Sequence, residues 1–415
     1  MQKILHVVTL GGGSGHRVVL QALGLLIGEE GDYHLKLTAI PVTSDNGGST
    51  GLLREAYDII APGDIAQCMA GLSSTIEADW LMNFRYSHGK PGRGNLGGHT
   101  YRNMPVVAHL QQFGPTQQAM DELAKRFELR GRITPITFTP TQLHAVLNDG
   151  TELHGEEEIY SADLAKGGGV RKHWLSPRPQ LNLAALEAIL QADILIFTPG
   201  MLDTSLAPLL LVPRVQEALL QSKAHKVCVV NLMSKHGESI DSHVNYLEKL
   251  LVPKFFDTLI CNDEEPTETQ SEQYKREGKR LIPSPLDLQG LPRAIIAQPL
   301  LLQQSVVSEH GGDEFAHVRG SVRHDPFNLS EALDEVLRWE ANKVQSTRPR
   351  LFLDCDRVLF RTDAFKEAYA LRMAALIVGV DRVQTGELEN FVYPDVKPAL
   401  DKLRMTHTLT VVTYG

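Results

Sequence analysis

The stretch ILHVVTLGGGSGHRVV, residues 4–19, restricts the fold more than any other part of the chain. An apolar run at 4–10 ends in four glycines within five positions, Gly11, Gly12, Gly13 and Gly15. A helical pattern follows at 17–27, with Val19, Ala22, Leu23, Leu26 and Ile27 at helical spacing. Strand, glycine turn and helix in that order open a parallel α/β unit. The same grammar recurs along the chain. LKLTAIPVT at 35–43 reads as a second strand, and ADILIFT at 192–198, KVCVVN at 226–231 and TLICN at 258–262 read as later ones. Each ends in a polar or Gly/Pro turn, with helical patterns between. The rhythm predicts an α/β fold: a doubly wound, Rossmann-like, mostly parallel sheet whose ligand lies beyond the carboxyl ends of the strands. The segment 132–159 breaks the rhythm. It alternates apolar and polar residues around an Asn-Asp-Gly turn at 148–150, which predicts an antiparallel hairpin insert.

At 415 residues the chain exceeds what one hydrophobic core usually supports. A polar stretch at 341–349 follows a helical pattern and precedes a new apolar run, so the expected division is a domain over 1–340, a linker over 341–349 and a second, partial domain over 350–415. The net charge of −9 opposes a general nucleic-acid surface, which is normally basic. It leaves room for a local basic pocket. Four scattered cysteines without a Cys-x-x-Cys pair give no zinc or redox motif and suit a reducing compartment. The N-terminus lacks the pattern of a signal peptide, and no apolar run reaches membrane-spanning length. A cytoplasmic protein, without a membrane span and forming a homo-oligomer, is expected.

The glycine turn is suited to a phosphate. Glycine lets the backbone approach a ligand closely, and the amides at the start of the following helix face an anion. Ser14 adds a hydroxyl. A Walker A loop would need a Lys where His16 and Arg17 follow Gly15, and the dinucleotide fingerprint lacks its third glycine. A ligand-free glycine turn is the alternative. The second strand runs into TSDNGGSTGLLRE at 43–55, which places Asp45 about 30 residues after the turn, farther than the roughly 20 typical of a ribose-binding acid. APGDIAQCMAGL at 61–72 then puts Asp64 at a helix start. Asp45 and Asp64 could hold Mg²⁺ or orient hydroxyls, and Asp64 could equally be an N-cap.

In series, GGGSG, VTSDNGGSTGLLRE, PGDI, GGHTYRN at 97–103, the hairpin HAVLNDGTELHGEEEI, ADILIFTPGMLDTSLAPLLLV at 192–212, VVNLMSKHGES and RHDP at 323–326 resemble the YvcK/CofD-like family over about 1–340. Members include UDP-N-acetylglucosamine-binding gluconeogenesis factors and 2-phospho-L-lactate transferases. The resemblance implies a nucleotide-sugar site. Gly12, Gly13, Ser14 and Gly15 would face the phosphates, and Asp45, Asn46, Gly48 and Ser49 would line the next strand end. Asp64, His99 and Asn103 would lie across the cleft, Gly200, Thr204 and Ser205 would close it, and Asn231 and Asn262 would stand at later strand ends. For His99 a capping or core role is the alternative. The chain departs from the family pattern in Asp45-Asn46 for two acids, PGDIAQ for PGDIRN, Arg102 for a glycine and Asp203 for a tyrosine. The lost acid weakens a metal-dependent transfer, so binding of a UDP-sugar in a regulatory role, in central carbon metabolism or cell-wall synthesis, is the expectation. A Mg²⁺-dependent phospholactate transfer from a nucleotide-activated donor to a deazaflavin is the alternative.

RLFLDCDRVLFRTDAF at 350–365 resembles motif I of haloacid-dehalogenase-like (HAD) phosphatases, where Asp354 would attack phosphorus and Asp356 act as acid/base. TLTVVTYG resembles the motif II strand and places Thr413 in it. The later motifs have no room before residue 415, so a truncated, incomplete α/β domain without phosphatase activity is expected.

Overall fold

In the computed structural model, described over 3–28, 33–73, 83–87, 96–162, 164, 166–234, 239–276, 280–282, 294–302, 323–343, 350–354 and 408–412, the chain divides into two compact units, Met1–Asn342 and Lys343–Gly415. The strands, in chain order, are β1 (Lys3–Gly11), β2 (Tyr33–Pro41), β3 (Arg132–Ile133), β4 (Gln142–Leu147), β5 (Glu152–His154), β6 (Val170–Ser176) and β7 (Ile194–Phe197). They continue with β8 (His225–Val229), β9 (Met233–Ser234), β10 (Thr258–Asn262), β11 (Arg280–Leu281), β12 (Ala294–Gln298), β13 (Arg350–Asp354) and β14 (Thr408–Val412). Seven of them form one parallel sheet in the order β12-β10-β8-β7-β1-β2-β3.

The central strands β7 and β10 are buried on both faces and mostly apolar, whereas β2 begins with exposed His34 and Lys36 and β3 with exposed Arg132. Successive residues still serve opposite cores. Leu5 and Val7 of β1 join one core, with Val19, Leu23, Ile65 and Met69, and Val8 and Leu10 join the other, with Phe197, Leu209 and Leu247. β7 divides in the same way, Ile194 and Ile196 against Leu195 and Phe197. The first core is covered by α1 (Gly13–Leu25), α3 (Pro62–Leu72), α4 (Asn103–Phe113) and α9 (Pro326–Ala341), with α2 (Gly48–Tyr57) leading into it. The second is covered in part by α6 (Ala207–Leu211), α7 (Val215–Gln221) and α8 (Ile240–Leu250).

The insert is larger than the sequence suggests. β4 and β5 form the expected hairpin across the turn at 148–150, and β6 adds a third antiparallel strand on the far side of β4. The short helix α5 (Glu156–Ser161) follows β5 and packs Ile159 into a small core with Leu143, Ala145 and Leu153. VRKHWLS hides β6 from a pattern reading, because its residues are mostly half-buried or exposed and show no clean alternation.

α9 shows how local sequence fixes a boundary. Asp325 accepts hydrogen bonds from the Phe327 and Asn328 amides at 2.7 and 3.2 Å, and Pro326 occupies the first helical position. Asp325→Ala is expected to lower stability by ~1 kcal/mol, read as a lower urea midpoint with an unchanged slope.

In the second unit β13 and β14 pair in parallel, with Asp354 opposite Val412. Asp356 and Thr413 lie outside the described residues.

Candidate functional site

The chain runs from β1 outward to β2 and β3, then returns to the other side of β1 with β7, β8, β10 and β12. The order therefore reverses between β1 and β7, and a doubly wound sheet opens its ligand crevice at the carboxyl end of such a point. The two turns that meet there are GGGSG after β1 and Pro199-Gly200 after β7. They are packed too closely for side chains. A Cβ on Gly15 would stand 1.9 Å from the Pro199 carbonyl oxygen. Gly13 opens α1 with a φ of +62°, a left-handed conformation that favours glycine, and has open space around it. Asn231, at the end of β8, holds the second turn from both sides: its Oδ1 accepts from the Gly200 amide at 2.7 Å and its Nδ2 donates to the Gly200 carbonyl at 2.8 Å.

The start of α1 is not simply a set of free amides. Asp64 reaches across from α3, and its Oδ1 accepts the Gly13 N–H at 2.5 Å. Asp64 is 7% exposed. Burial first, then the charge of Asp45, pushes its carboxyl up to about 7. Asp45 lies on the adjoining loop, where its Oδ1 accepts from the Gly47 amide at 2.8 Å, and burial raises it as well. A third acid, Glu156, comes from the start of α5 in the insert. Burial and then the charges of Asp45 and Asp64 hold it well above the usual carboxylate range. Its Oε2 makes no normal hydrogen bond within the described structure, although the Thr204 hydroxyl lies near enough to favour the ionised form.

Two arginines answer these acids. Arg54 of α2 donates to the carbonyls of Ser44, Asp45 and Thr141 at 3.1, 2.8 and 2.6 Å, which ties the loop after β2 to the insert. Its charge favours ionisation of Asp45 and Glu156, and Arg102 does the same for Asp64. The insert docks on the cleft a second time through Asn46, whose Oδ1 accepts the Glu157 amide at 3.1 Å.

The other residues singled out from sequence fall in four places. Ser49 is the hub of the α2–α4 contact. Its hydroxyl is 2.9 Å from His99 Nδ1 and accepts from Asn103 Nδ2 at 3.0 Å, and all three side chains are buried. Burial, then Arg85, lowers the His99 pKa. Thr204 and Ser205 sit in a π-helical turn, Leu202–Leu206, directly after Gly200, and Ser205 packs against that glycine. Single π turns often mark functional sites. Ser14 and Gly48 are exposed at the first residues of α1 and α2. Asn262, two strands away from β7, spends its amide on backbone, donating to the Glu264 carbonyl at 2.6 Å and accepting from the Leu300 amide at 3.0 Å.

Sequence reasoning missed Glu156 and Arg54. Glu156 is the first of three acids after Gly155, a pattern that reads as charge favouring a helix N-terminus. Arg54 looks like one more cation on an amphipathic helix. Only the docking of the insert turns both inward. Asp64 and Asp45 each commit Oδ1 to a backbone amide, so a Mg²⁺ would be held through the second oxygen of each together with ligand phosphates. Among the described residues no group of three or more His, Cys, Asp or Glu side chains is set to hold a metal ion. No described helix is long and apolar enough to cross a membrane.

Residues 7–301 match the family described as 2-phospho-L-lactate transferase CofD. A putative gluconeogenesis factor of Aquifex aeolicus is 33% identical over 343 residues, 81% of this chain and 98% of that protein. A gluconeogenesis factor of Halalkalibacterium halodurans is 30% identical over 315 residues, 74% of this chain and 94% of the other. A crystal structure of a UPF0052 family member from Bacillus halodurans superposes with a TM-score of 0.66 at 27% identity, covering 80% of this chain and 99% of that one.

Proposed function

The chain belongs to the CofD family, alongside the gluconeogenesis factors, and from that premise we propose that its cleft binds a nucleoside-diphosphate sugar, of the UDP-N-acetylglucosamine kind, in a regulatory role. The observation that carries the reading is the meeting of the GGGSG turn and the Pro199-Gly200 turn at the carboxyl end of β1 and β7, where the fold opens its crevice. Nothing lies within 4 Å of where a Gly13 Cβ would stand, which leaves room for a diphosphate beside the turn, with the Gly13 N–H itself held by Asp64. In the buried Ser49, His99 and Asn103 group the hydroxyl, Nδ1 and Nδ2 are spent on one another, and Asn103 Oδ1 is the acceptor without a partner within the described structure. Central carbon metabolism is the setting that the relatives' names suggest. A cytoplasmic location and a homo-oligomer belong to the same proposal.

Asp64 makes this reading pH-dependent. Below about 7 its carboxyl is protonated and tolerates a phosphate beside Gly13, and above that it is ionised and repels one. Calorimetry with UDP-N-acetylglucosamine, UDP, GDP and NAD, each with and without Mg²⁺, is the direct test. The expected result is metal-independent binding of the UDP compounds that weakens as pH rises through 7, and a flatter profile for Asp64→Asn. Silence toward every nucleotide overturns the proposal.

One observation favours a second reading, phospholactate-type transfer: one buried and two half-buried carboxyls with raised pKa values in one cleft are what acid–base chemistry uses. Binding of a guanine nucleotide only with Mg²⁺ would choose it. The HAD-like reading of 350–415 has behind it only its motif and the parallel β13–β14 pair. The family match ends at residue 301.

A further inference from the structure

Two polar atoms in the cleft stand close together without a bond. Thr204 is 1% exposed, and its hydroxyl makes no hydrogen bond within the described structure. Glu156 Oε2, an atom shut off from solvent although its residue is half-buried, makes none either. The Thr204 hydroxyl still lies near enough to favour the ionised carboxylate. A buried polar group without a partner costs free energy, so such groups are rare in folded proteins and need a reason.

Both residues are held firmly from behind. Asn46 fixes the start of α5: its Oδ1 accepts the Glu157 amide at 3.1 Å, and Gly155 packs so close that a Cβ there would run into the Asn46 side chain. On the other wall Asp203, the residue before Thr204 in the π turn, accepts from the Tyr246 hydroxyl of α8 at 2.6 Å and has His173 Nε2 of β6 3.1 Å from the same oxygen. Ser205, the residue after Thr204, packs on Gly200. Residues locked by their neighbours and left unmatched on one side form a preorganised binding pair, because little ordering remains to be done when a ligand arrives.

The chemistry of the pair selects the group it takes. A carboxyl oxygen accepts, and a threonine hydroxyl can donate. A ligand hydroxyl serves both, donating to one oxygen and accepting from the other. A phosphate does not suit this end of the cleft. Asp45 and Asp64 lie close enough to act on Glu156, and the same carboxyls oppose an anion there. Arg54, the cation facing Glu156 and Asp45, spends its guanidinium on the carbonyls of Ser44, Asp45 and Thr141. We propose that Glu156 and Thr204 are the specificity-determining pair for the sugar end of the ligand: one sugar hydroxyl donates to Glu156 Oε2 and accepts from Thr204 Oγ1. The proposal rests on the nucleotide-sugar reading of the cleft and adds a residue of the insert to it. The insert, not the parallel sheet alone, then tells a nucleotide sugar from a bare nucleotide.

The test is calorimetry on the full chain at pH 6.5 with UDP and, separately, UDP-glucose and UDP-N-acetylglucosamine. In Thr204→Val, which keeps the shape and removes the hydroxyl, and in Glu156→Ala, the affinity for each UDP-sugar relative to that for UDP should fall about tenfold. The urea midpoint of Thr204→Val should stay at or above the wild-type value, because the lost hydroxyl has no partner in the fold. A residue that only shapes the cleft would instead move UDP and the sugars together and lower the midpoint, and that result overturns the pair. An unchanged ratio in both variants, with UDP and the UDP-sugars bound by the wild type, also overturns the pair and leaves the nucleotide-sugar reading standing. A ratio that falls for UDP-N-acetylglucosamine alone overturns the hydroxyl as the group recognised. A wild-type protein silent toward all three overturns the nucleotide-sugar reading, and the pair with it.

Discussion

Gly15→Ala is expected to lower unfolding stability by roughly 1–3 kcal/mol and to weaken nucleotide binding at least tenfold. The added Cβ would stand 1.9 Å from the Pro199 carbonyl oxygen, well inside any permitted contact. Backbone cannot swing aside as a side chain can. The first turn of α1 or the turn after β7 must move, and the ends of β1 and β7, paired along Val7–Leu10 and Ile194–Phe197, carry the strain. The binding loss follows because the crevice is the gap between those two turns. Gly13→Ala provides the contrast: nothing lies within 4 Å of its Cβ, so its cost is conformational, about 1–2 kcal/mol for a left-handed alanine. Urea unfolding and calorimetry on the two variants separate close approach from backbone conformation. A Gly15→Ala protein with wild-type stability and affinity would show that the two turns are not in contact.

Glu156→Gln is expected to stabilise the protein at pH 8, read as a higher urea midpoint than wild type. The sign follows from the direction of the shift. A carboxyl whose folded pKa is raised costs stability wherever the unfolded chain is ionised and the folded group resists ionisation. That cost is absent below the unfolded value near 4.5, grows as pH rises above it, and reaches its limit at the raised folded value. The gain from Glu156→Gln should therefore vanish as pH falls toward 4.5. Asp64 contributes the same slope between 3.8 and about 7. The buried histidines oppose it. His16, lowered to about 3, and His243 and His324, lowered to about 4, are neutral in the fold and lose stability as pH falls below 6.5. Denaturation of both proteins at pH 5, 6.5 and 8 reads the difference directly. A variant less stable than wild type at pH 8 would mean that Glu156 is held by a partner worth more than its burial costs. Acids kept at such a cost beside a ligand crevice are a mark of function, because replacing them should improve the fold.

The parallel sheet was legible in the sequence because strands buried on both faces must be apolar throughout. TLICN was placed at its observed bounds, and the other runs within a few residues. The glycine turn was legible for a similar reason, since close backbone approach and a positive φ leave little choice of residue. What the sequence could not supply was any property that depends on two distant segments meeting. β6 was hidden because an exposed edge strand has no compulsory pattern. Glu156 and Arg54 carried ordinary helix signatures, and only the docking of the insert on the loop after β2, through Asn46 and Thr141, buries them with Asp45 and Asp64. Asp64 does not cap its own helix, whose N-cap is Ala61; it takes the amide of Gly13 in another helix, a contact between residues 51 apart in sequence. Local sequence determined which segments are strands, turns and helices, because burial and backbone geometry act residue by residue. Tertiary structure alone decided the electrostatics of the cleft, because desolvation and Coulomb energy depend on what surrounds a charge in space.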